Sequence, residues 1–468
     1  MKLDLESLKS HLSRYGQEHL VAFWDQLNDT GRCQLAEQIS GVDFEQLRQL
    51  QAGSDQTEDW ANVAARASSP PAIRLDAGAD EPRFSPEQAR ERGESLLRRG
   101  RVAVVLVAGG QGSRLGFEHP KGIFPLGPVS QRTLFEIHVD RLRALSARFS
   151  VTIPLYLMTS PATHDETVAF FHDHNRLGLA EEDVVVFCQG TMPAVDCSSG
   201  RSLLESPDRL FLSPDGHGGT LAALAKAGCL EDMRRRGVDC LFYFQVDNPL
   251  VAIAEPKFLG YHSLAESELT SQVVAKTDPL EKVGNVVSVD GQLRIIEYSD
   301  LPEQAARSQN PDGSLAIWAG SIAVHAFDVA FLQRMREQSD SLPFHRARKI
   351  VPFIDADGQR VEPETPNAIK FERFIFDLLP SSANALVVEV AESEAFAPLK
   401  NAIGAPKDTE ETCRAAMVAQ QTSWLLAAGV GVAGGVLVEI NPLHAQDADE
   451  VAEKFTSGTT ITTDTYFN

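Results

Sequence analysis

The chain of 468 residues carries 43 Lys and Arg against 65 Asp and Glu, a formal net charge of −22, and 43% of its residues are hydrophobic. That hydrophobic fraction excludes wholesale disorder, and at this length about three domains are expected. So acidic a chain, with no long Lys/Arg run, offers no stripe for a polyphosphate backbone, so neither nucleic acid nor an anionic membrane is expected as a partner.

From Leu5 to Leu50 apolar residues recur at three- and four-residue steps (Leu8, Leu12, then Leu20, Phe23, Trp24, Leu27). This is the period of helices with one buried face, and it predicts a helical N-terminal region over residues 1–98. Within that region Gly53–Pro82 loses the period and gathers Ser68, Ser69, Pro70, Pro71 and Pro82, which predicts a connector over residues 53–84. Ser85, Pro86 and Gln88 then supply an N-cap, a first-turn proline and a capping-box partner for a helix running to Gly100. Val102–Ala108, VAVVLVA, is an unbroken apolar run of the kind buried on both faces of a parallel sheet. Further strands are expected at Ile153–Thr159, Asp183–Cys188, Leu241–Val246 and Gln272–Lys276, with helices at Leu134–Phe149, His164–His174 and Leu221–Arg236. Strand and helix in alternation predict an α/β, doubly wound layer over residues 99–384, whose ligands sit at the carboxyl ends of the strands. Past about Pro380 short apolar bursts (ALVVEV, GVLVEI, TTITT) predict a small β-rich C-terminal domain over residues 385–468.

The uncharged run Trp424–Val438 falls short of the ~20 residues a membrane crossing needs and holds four glycines. The N-terminus mixes charges into its apolar positions, unlike a secretory signal. Six cysteines without a C-x-x-C pair read as reduced thiols. A cytoplasmic protein, monomeric or weakly self-associating, is expected.

The chemistry concentrates in Ala108–Gly122, AGGQGSRLGFEHPKG, directly after the buried strand. Gly109, Gly110 and Gly112 permit close approach of backbone N–H groups to an anion, Arg114 adds a fork of donors and Lys121 a point charge. The loop reads as a phosphate cradle. It is neither the G-x-G-x-x-G dinucleotide loop, because no helix opens after Gly112, nor a P-loop, because Gly122 follows Lys121 where that motif has Ser or Thr.

This loop resembles the L-x-x-G-G-x-G-T-R-L-G…P-K-G signature of the eukaryotic-type UDP-sugar pyrophosphorylases, nearest to their UDP-N-acetylhexosamine branch. GQEHLVAFW (Gly16–Trp24), CQGTMPAVD (Cys188–Asp196), PDGHGG (Pro214–Gly219), QVDNPLV (Gln245–Val251), EKVGNVV (Glu281–Val287), IIEYSDL (Ile295–Leu301), WAGSIAVHAF (Trp318–Phe327), PNAIKFERFIFD (Pro366–Asp377), FAPLKNA (Phe396–Ala402) and WLLAAG…VEINPL (Trp424–Leu443) resemble further segments of that family, in family order and over nearly the whole chain. The resemblance implies a Rossmann-like nucleotide-diphospho-sugar transferase fold with a mixed sheet. It also implies the reaction of UTP with a sugar 1-phosphate to UDP-sugar and pyrophosphate, assisted by Mg²⁺ or Mn²⁺.

By the same resemblance Ala108, Gly109, Gly110, Arg114 and Lys121 meet the phosphates, with Lys121 as the main cation. Gln189 meets one edge of uracil, and Gly216 with His217 borders the base. Asp247 is the metal carboxylate. Asn248, Gly284, Glu297, Ser321 and Lys370 lie on the sugar side, and Lys400 reaches the phosphates from across the cleft. Two departures bear on the sugar: the branch usually has G-N-G at Gly216-His217-Gly218 and A-G-N-I at Ala319-Gly320-Ser321-Ile322. Ser113 stands in place of Thr and keeps the hydroxyl. N-acetylglucosamine 1-phosphate is the first expectation for the substrate. Glucose 1-phosphate, a broad range of sugars, and a catalytically silent nucleotide-sugar binder are the alternatives.

Overall fold

The computed structural model describes residues 5–52, 59–76, 83–338 and 342–468. Its centre is an eleven-stranded mixed sheet: β1 (Ala67–Ser68), β2 (Ala72–Ile73), β3 (Val102–Val107), β4 (Leu155–Thr159), β5 (Val184–Cys188), β6 (Cys240–Gln245), β7 (Leu269–Ala275), β8 (Gly284–Val289), β9 (Gln292–Ile296), β10 (Ala319–Asp328) and β11 (Leu386–Glu389). The main path runs β2-β11-β7-β10-β6-β3-β4-β5, with β8 joining β1, β9 and β10 beside it. Strands β6, β3, β4 and β5 pair in parallel, whereas β10 runs antiparallel to both β6 and β7. The mixed α/β sheet expected from the sequence is present.

Residues of β3 and β6 are buried almost without break, and Val104, Leu106, Phe242 and Phe244 share one core with Phe135 of helix Leu134–Phe149 and Phe258 of helix Pro256–Leu264. Burying each such side chain stabilises by roughly 1.5–3 kcal/mol relative to exposure. The helix signals in the sequence appear as geometry. Ser85 and Gln88 form a capping box at helix Pro86–Arg98, and Thr133 and Glu136 form another at helix Leu134–Phe149. The single helix expected over Leu221–Arg236 is two, Thr220–Lys226 and Cys229–Arg236, because Gly228 at φ +73° breaks the run.

The chain folds as two compact units, Met1–Asp59 with Gln189–Thr220 and Leu342–Asp377, and Trp60–Cys188 with Leu221–Ser341 and Leu378–Asn468. In the first unit, Leu8, Leu12, Leu20 and Leu35 of the N-terminal helices are buried with Val195, Leu204, Ile369 and Phe371. A boundary drawn along the sequence misses this, because the partners lie more than 150 positions apart. Of the connector expected over Gly53–Pro82, residues 53–58 and 77–82 lie outside the described residues; between them stand helix Trp60–Arg66 and the short strands β1 and β2. The segment 385–468 differs from the β-rich domain expected. It contributes β11 to the central sheet and then an 18-residue helix, Glu410–Ala427. Its remaining strands are two parallel pairs, Gly431–Val432 with Thr460–Ile461 and Val438–Ile440 with Thr465–Phe467. Among the described residues no helix is long and apolar enough to cross a membrane.

Candidate active site

The Ala108–Gly122 loop leaves the carboxyl end of β3, between β4 and β6. Its entry is fixed by Ala108 N donating to Met158 O (2.7 Å) and by Ser160 Oγ donating to Gly109 O (2.7 Å). It closes on itself through Gly112 N to His119 O (2.9 Å) and Lys121 N to Gly110 O (3.0 Å). The glycines serve different ends. A Cβ at Gly112 would stand 2.6 Å from Phe117 O, so the loop's own shape excludes it. A Cβ at Gly110 would meet nothing within 4 Å, so there the backbone presents an open face. Gly122 packs against Phe135, whose ring atoms would lie 2.2 Å from an added Cβ.

Arg114 is exposed and forms no ion pair among the described residues. Lys121 is held inward, its side chain 16% exposed, with Nζ 3.1 Å from Leu399 O and 3.6 Å from Asp247 Oδ2. Asp247 stands two residues beyond β6, where Val246 N still donates to Val107 O (3.0 Å), and its carbonyl accepts from Leu399 N (2.8 Å). Lys121, Asp247 and the Leu399–Lys400 segment are thus brought together from three distant parts of the sequence. Lys400 N and Asn401 N both donate to Asp408 O (2.8 Å each), which holds the turn that carries the Lys400 side chain. Asn248, 3% exposed, donates to Ala395 O (2.7 Å) and accepts from Ala397 N (3.2 Å) and Leu250 N (3.3 Å). Its amide is engaged within the protein, tying the Asp247 turn to the segment before Lys400.

Gly284, Glu297 and Ser321 converge. Gly284 of β8 pairs with Ser321 of β10, and a Cβ on Gly284 would stand 2.8 Å from Ile295 Cγ2 and 3.2 Å from Glu297 Oε1. Beyond Ser321 the strand bends at Ala323, whose φ of +55° is unusual for a residue with a side chain, and Ser321 Oγ accepts from Ala323 N (3.4 Å). Two buried residues here went unread in the sequence. Lys276 donates to Asn285 Oδ1 (2.5 Å), and Asn285 Nδ2 donates to Val283 O and Ile296 O (3.2 Å each), bracing the β8–β9 hairpin behind Gly284. Burial lowers the Lys276 pKa. The only signal for the pair was the GNV inside EKVGNVV.

In the other unit, Gln189 is 8% exposed and its amide has no hydrogen-bond partner among the described residues. The PDGHGG turn is pinned by Asp215 N to Gly190 O (3.1 Å), Arg373 N to Asp215 O (2.8 Å) and Gly218 N to Arg373 O (2.7 Å). Gly216 has φ +81°, and a Cβ there would lie 2.4 Å from Arg373 O. The His217 ring packs against Phe374 and Phe376 (centroids 5.2 and 5.4 Å) and accepts from Ile375 N at Nδ1 (3.3 Å), and burial pulls its pKa down to about 4. It is neutral and supports the turn from within. Lys370 lies with Nζ 5.0 Å from the Phe211 ring centroid, and burial lowers its pKa.

Among the described residues no three His, Cys, Asp or Glu side chains gather as a metal cage. Asp247 offers one carboxylate, partly buried and beside a cation. That donor set fits a hard divalent ion that brings phosphate oxygens and water as its other ligands, the usual habit of Mg²⁺.

The family model described as UTP–glucose-1-phosphate uridylyltransferase matches residues 57–426. The chain is 38% identical over 442 residues to human UDP-N-acetylhexosamine pyrophosphorylase-like protein 1, covering 91% of this chain and 86% of that one. It is 39% identical over 356 residues to the UDP-N-acetylglucosamine pyrophosphorylase of Saccharomyces cerevisiae, covering 75% of each. Among solved structures, a putative UDP-N-acetylglucosamine pyrophosphorylase from Entamoeba histolytica superposes with a TM-score of 0.77 at 30% identity, covering 86% of this chain and 100% of that one. The chain belongs to the UTP–glucose-1-phosphate uridylyltransferase family, among relatives named as UDP-N-acetylhexosamine and UDP-N-acetylglucosamine pyrophosphorylases.

Proposed function

We propose that the protein is a uridylyltransferase that joins UTP and N-acetylglucosamine 1-phosphate to give UDP-N-acetylglucosamine and pyrophosphate. The observation that carries this reading is the meeting of Lys121 and Asp247, 3.6 Å apart, at the carboxyl ends of the neighbouring parallel strands β3 and β6. In the reaction an oxygen of the sugar phosphate bonds to the α-phosphorus of UTP while the bond from that phosphorus to the bridging oxygen of the β-phosphate breaks. The protein supplies position and charge rather than a nucleophile. Backbone N–H groups at Gly109 and Gly110 take phosphate oxygens, Lys121 neutralises the reacting phosphoryl group, and Arg114 and Lys400 bind the leaving pyrophosphate. Asp247 would hold Mg²⁺ or Mn²⁺, which would supply charge neutralisation at the phosphate oxygens. Gly284, Glu297 and Ser321 receive the sugar, with Glu297 accepting from hydroxyl groups. Gln189 reads uracil with its unengaged amide, and Gly216 borders the base. The chemistry of six free thiols fits a reducing compartment such as the cytoplasm.

Pyrophosphate release tests this reading with UTP against N-acetylglucosamine, N-acetylgalactosamine, glucose and galactose 1-phosphates, and with ATP, CTP and dTTP as nucleotide controls. N-acetylglucosamine 1-phosphate with UTP is expected to have the highest kcat/KM. A preference for glucose 1-phosphate overturns the sugar assignment, and no release from any pair overturns the enzyme assignment.

A further inference from the structure

A pocket of about 490 Å³ lies in the larger unit, walled by helices Pro86–Arg98, Leu134–Phe149 and Glu410–Ala427, by residues 250–255 and the first turn of helix Pro256–Leu264, and by the start of helix Ala448–Lys454. This is the size of a small-metabolite site. Three of its lining groups lack the partner their chemistry calls for. Arg141 donates from Nη1 to Val251 O (2.8 Å) and has no carboxylate partner among the described residues. Burial lowers its pKa to about 10, which leaves it charged at neutral pH. Gln420, 5% exposed, donates from Nε2 to Glu394 O (2.7 Å), while its Oε1 is buried with no partner among the described residues. The Glu394 carboxylate accepts from Gln420 Nε2 (3.3 Å) and Trp424 Nε1 (3.4 Å) but pairs with no Lys or Arg among the described residues. Of the other cations of the rim, Arg90 pairs with Asp449 (3.1 Å) and Arg148 with Asp447 (2.8 Å), while Lys257 forms no ion pair among the described residues.

We infer that this pocket is a second ligand site, separate from the phosphate loop, for a small zwitterion whose anionic group sits on Arg141 and whose ammonium donates to Gln420 Oε1 and Glu394. A buried amide oxygen without a donor is destabilising, and an ammonium is a donor that satisfies it and balances Glu394 at once. An aminosugar phosphate and an α-amino acid share this chemistry. The floor of the pocket is continuous with the catalytic turn: Val251, which Arg141 holds, lies four residues from Asp247, and Asn248 bonds to both Leu250 N and Ala395 O, next to Glu394. An occupant therefore braces the segments that carry Asp247 and Lys400.

Calorimetric titration of the full chain tests this with glucosamine 6-phosphate, glucose 6-phosphate and L-glutamate as probes. Glucosamine 6-phosphate or L-glutamate is expected to bind with a Kd below 1 mM, and whichever binds identifies the source. Glucose 6-phosphate, which lacks the ammonium, is expected to bind at least tenfold more weakly than its amino counterpart. Arg141→Gln and, separately, Gln420→Leu should each weaken the bound probe at least tenfold, while Lys121→Ala should leave its binding unchanged. With the probe bound, KM for UTP in the wild type should change at least twofold. The inference is overturned if none of the probes binds, if both pocket variants bind as the wild type does, or if Lys121→Ala abolishes binding, which would put the probe at the phosphate loop. Bound probe with unaltered kinetics would overturn the coupling to Asp247. Failure of the uridylyltransferase reading leaves the binding arms intact, so the two failures are distinguishable.

Discussion

A methyl group added at Gly284 would stand 3.2 Å from Glu297 Oε1, and closer still to Ile295. Gly284→Ala is therefore expected to displace the Glu297 carboxylate, proposed to accept from the sugar, raising KM for N-acetylglucosamine 1-phosphate about tenfold with KM for UTP nearly unchanged. Steady-state kinetics with each substrate varied checks this, and an equal rise for both would remove the sugar-side assignment. His138 gives a pH test. It is buried, its Nε2 bonds to Val246 O (2.9 Å), and its pKa is drawn from 6.5 to about 3, chiefly by burial. Above pH 6.5 the ring is neutral folded and unfolded alike. As pH falls toward 3 the unfolded chain takes the proton and the folded one does not, so stability is lost through that window at up to about 1.4 kcal/mol per pH unit. Urea unfolding at pH 6.5 and 4.5 should show a smaller drop in His138→Gln than in the wild type. Such residues show what the sequence could and could not carry. The candidate phosphate loop stood out in the sequence because glycines and cations crowd into fifteen positions. Lys276, Asn285 and His138 did not, since a lone polar residue in an apolar stretch says nothing of burial until its neighbours are known.

Elements with signals at their own ends were legible, and elements defined by distant partners were not. The capping box read at Ser85–Gln88 fixed one helix start to the residue. Strand β10 escaped notice because it opens with Ala319, Gly320 and Ser321, which have low β propensity, and takes its place only through pairing with β6 and β7. The Glu410–Ala427 helix was likewise hidden by the glycine-rich turn that ends it. Helix Leu134–Phe149 begins just past the phosphate loop and packs Phe135 against Gly122, so its cap matters to function. Thr133→Ala removes the hydroxyl that accepts from Glu136 N (3.2 Å) and should cost about 1 kcal/mol in urea unfolding. A change below 0.3 kcal/mol would show that the loop, not the cap, fixes the helix start.

The whole molecule departs most from a linear reading. A chain that alternates strand and helix reads as consecutive domains, yet one compact unit is assembled from three separated stretches, with Leu8, Leu12, Leu20 and Leu35 closing a core over Val195, Leu204, Ile369 and Phe371. A chain beginning at residue 60 loses that half of the core. Its stretches 189–220 and 342–377 should then lose amide protection in hydrogen exchange, while β3 and β6 remain protected. Protection unchanged in all four segments would show that the N-terminal helices are an appendage.

The proposed uridylyl transfer depends on Lys121 and its neighbours receiving the triphosphate of UTP, and calorimetric titration of UTP into the wild type and into Lys121→Ala tests that directly. Lys121 makes one hydrogen bond to Leu399 O and one ion pair with Asp247, so the variant should stay folded with a modest loss of stability. The wild type is expected to bind UTP more tightly than CTP or ATP, and Lys121→Ala to bind it at least tenfold more weakly and to turn over at least a hundredfold more slowly. Equal affinity for UTP in the two folded proteins, with equal turnover, would contradict it.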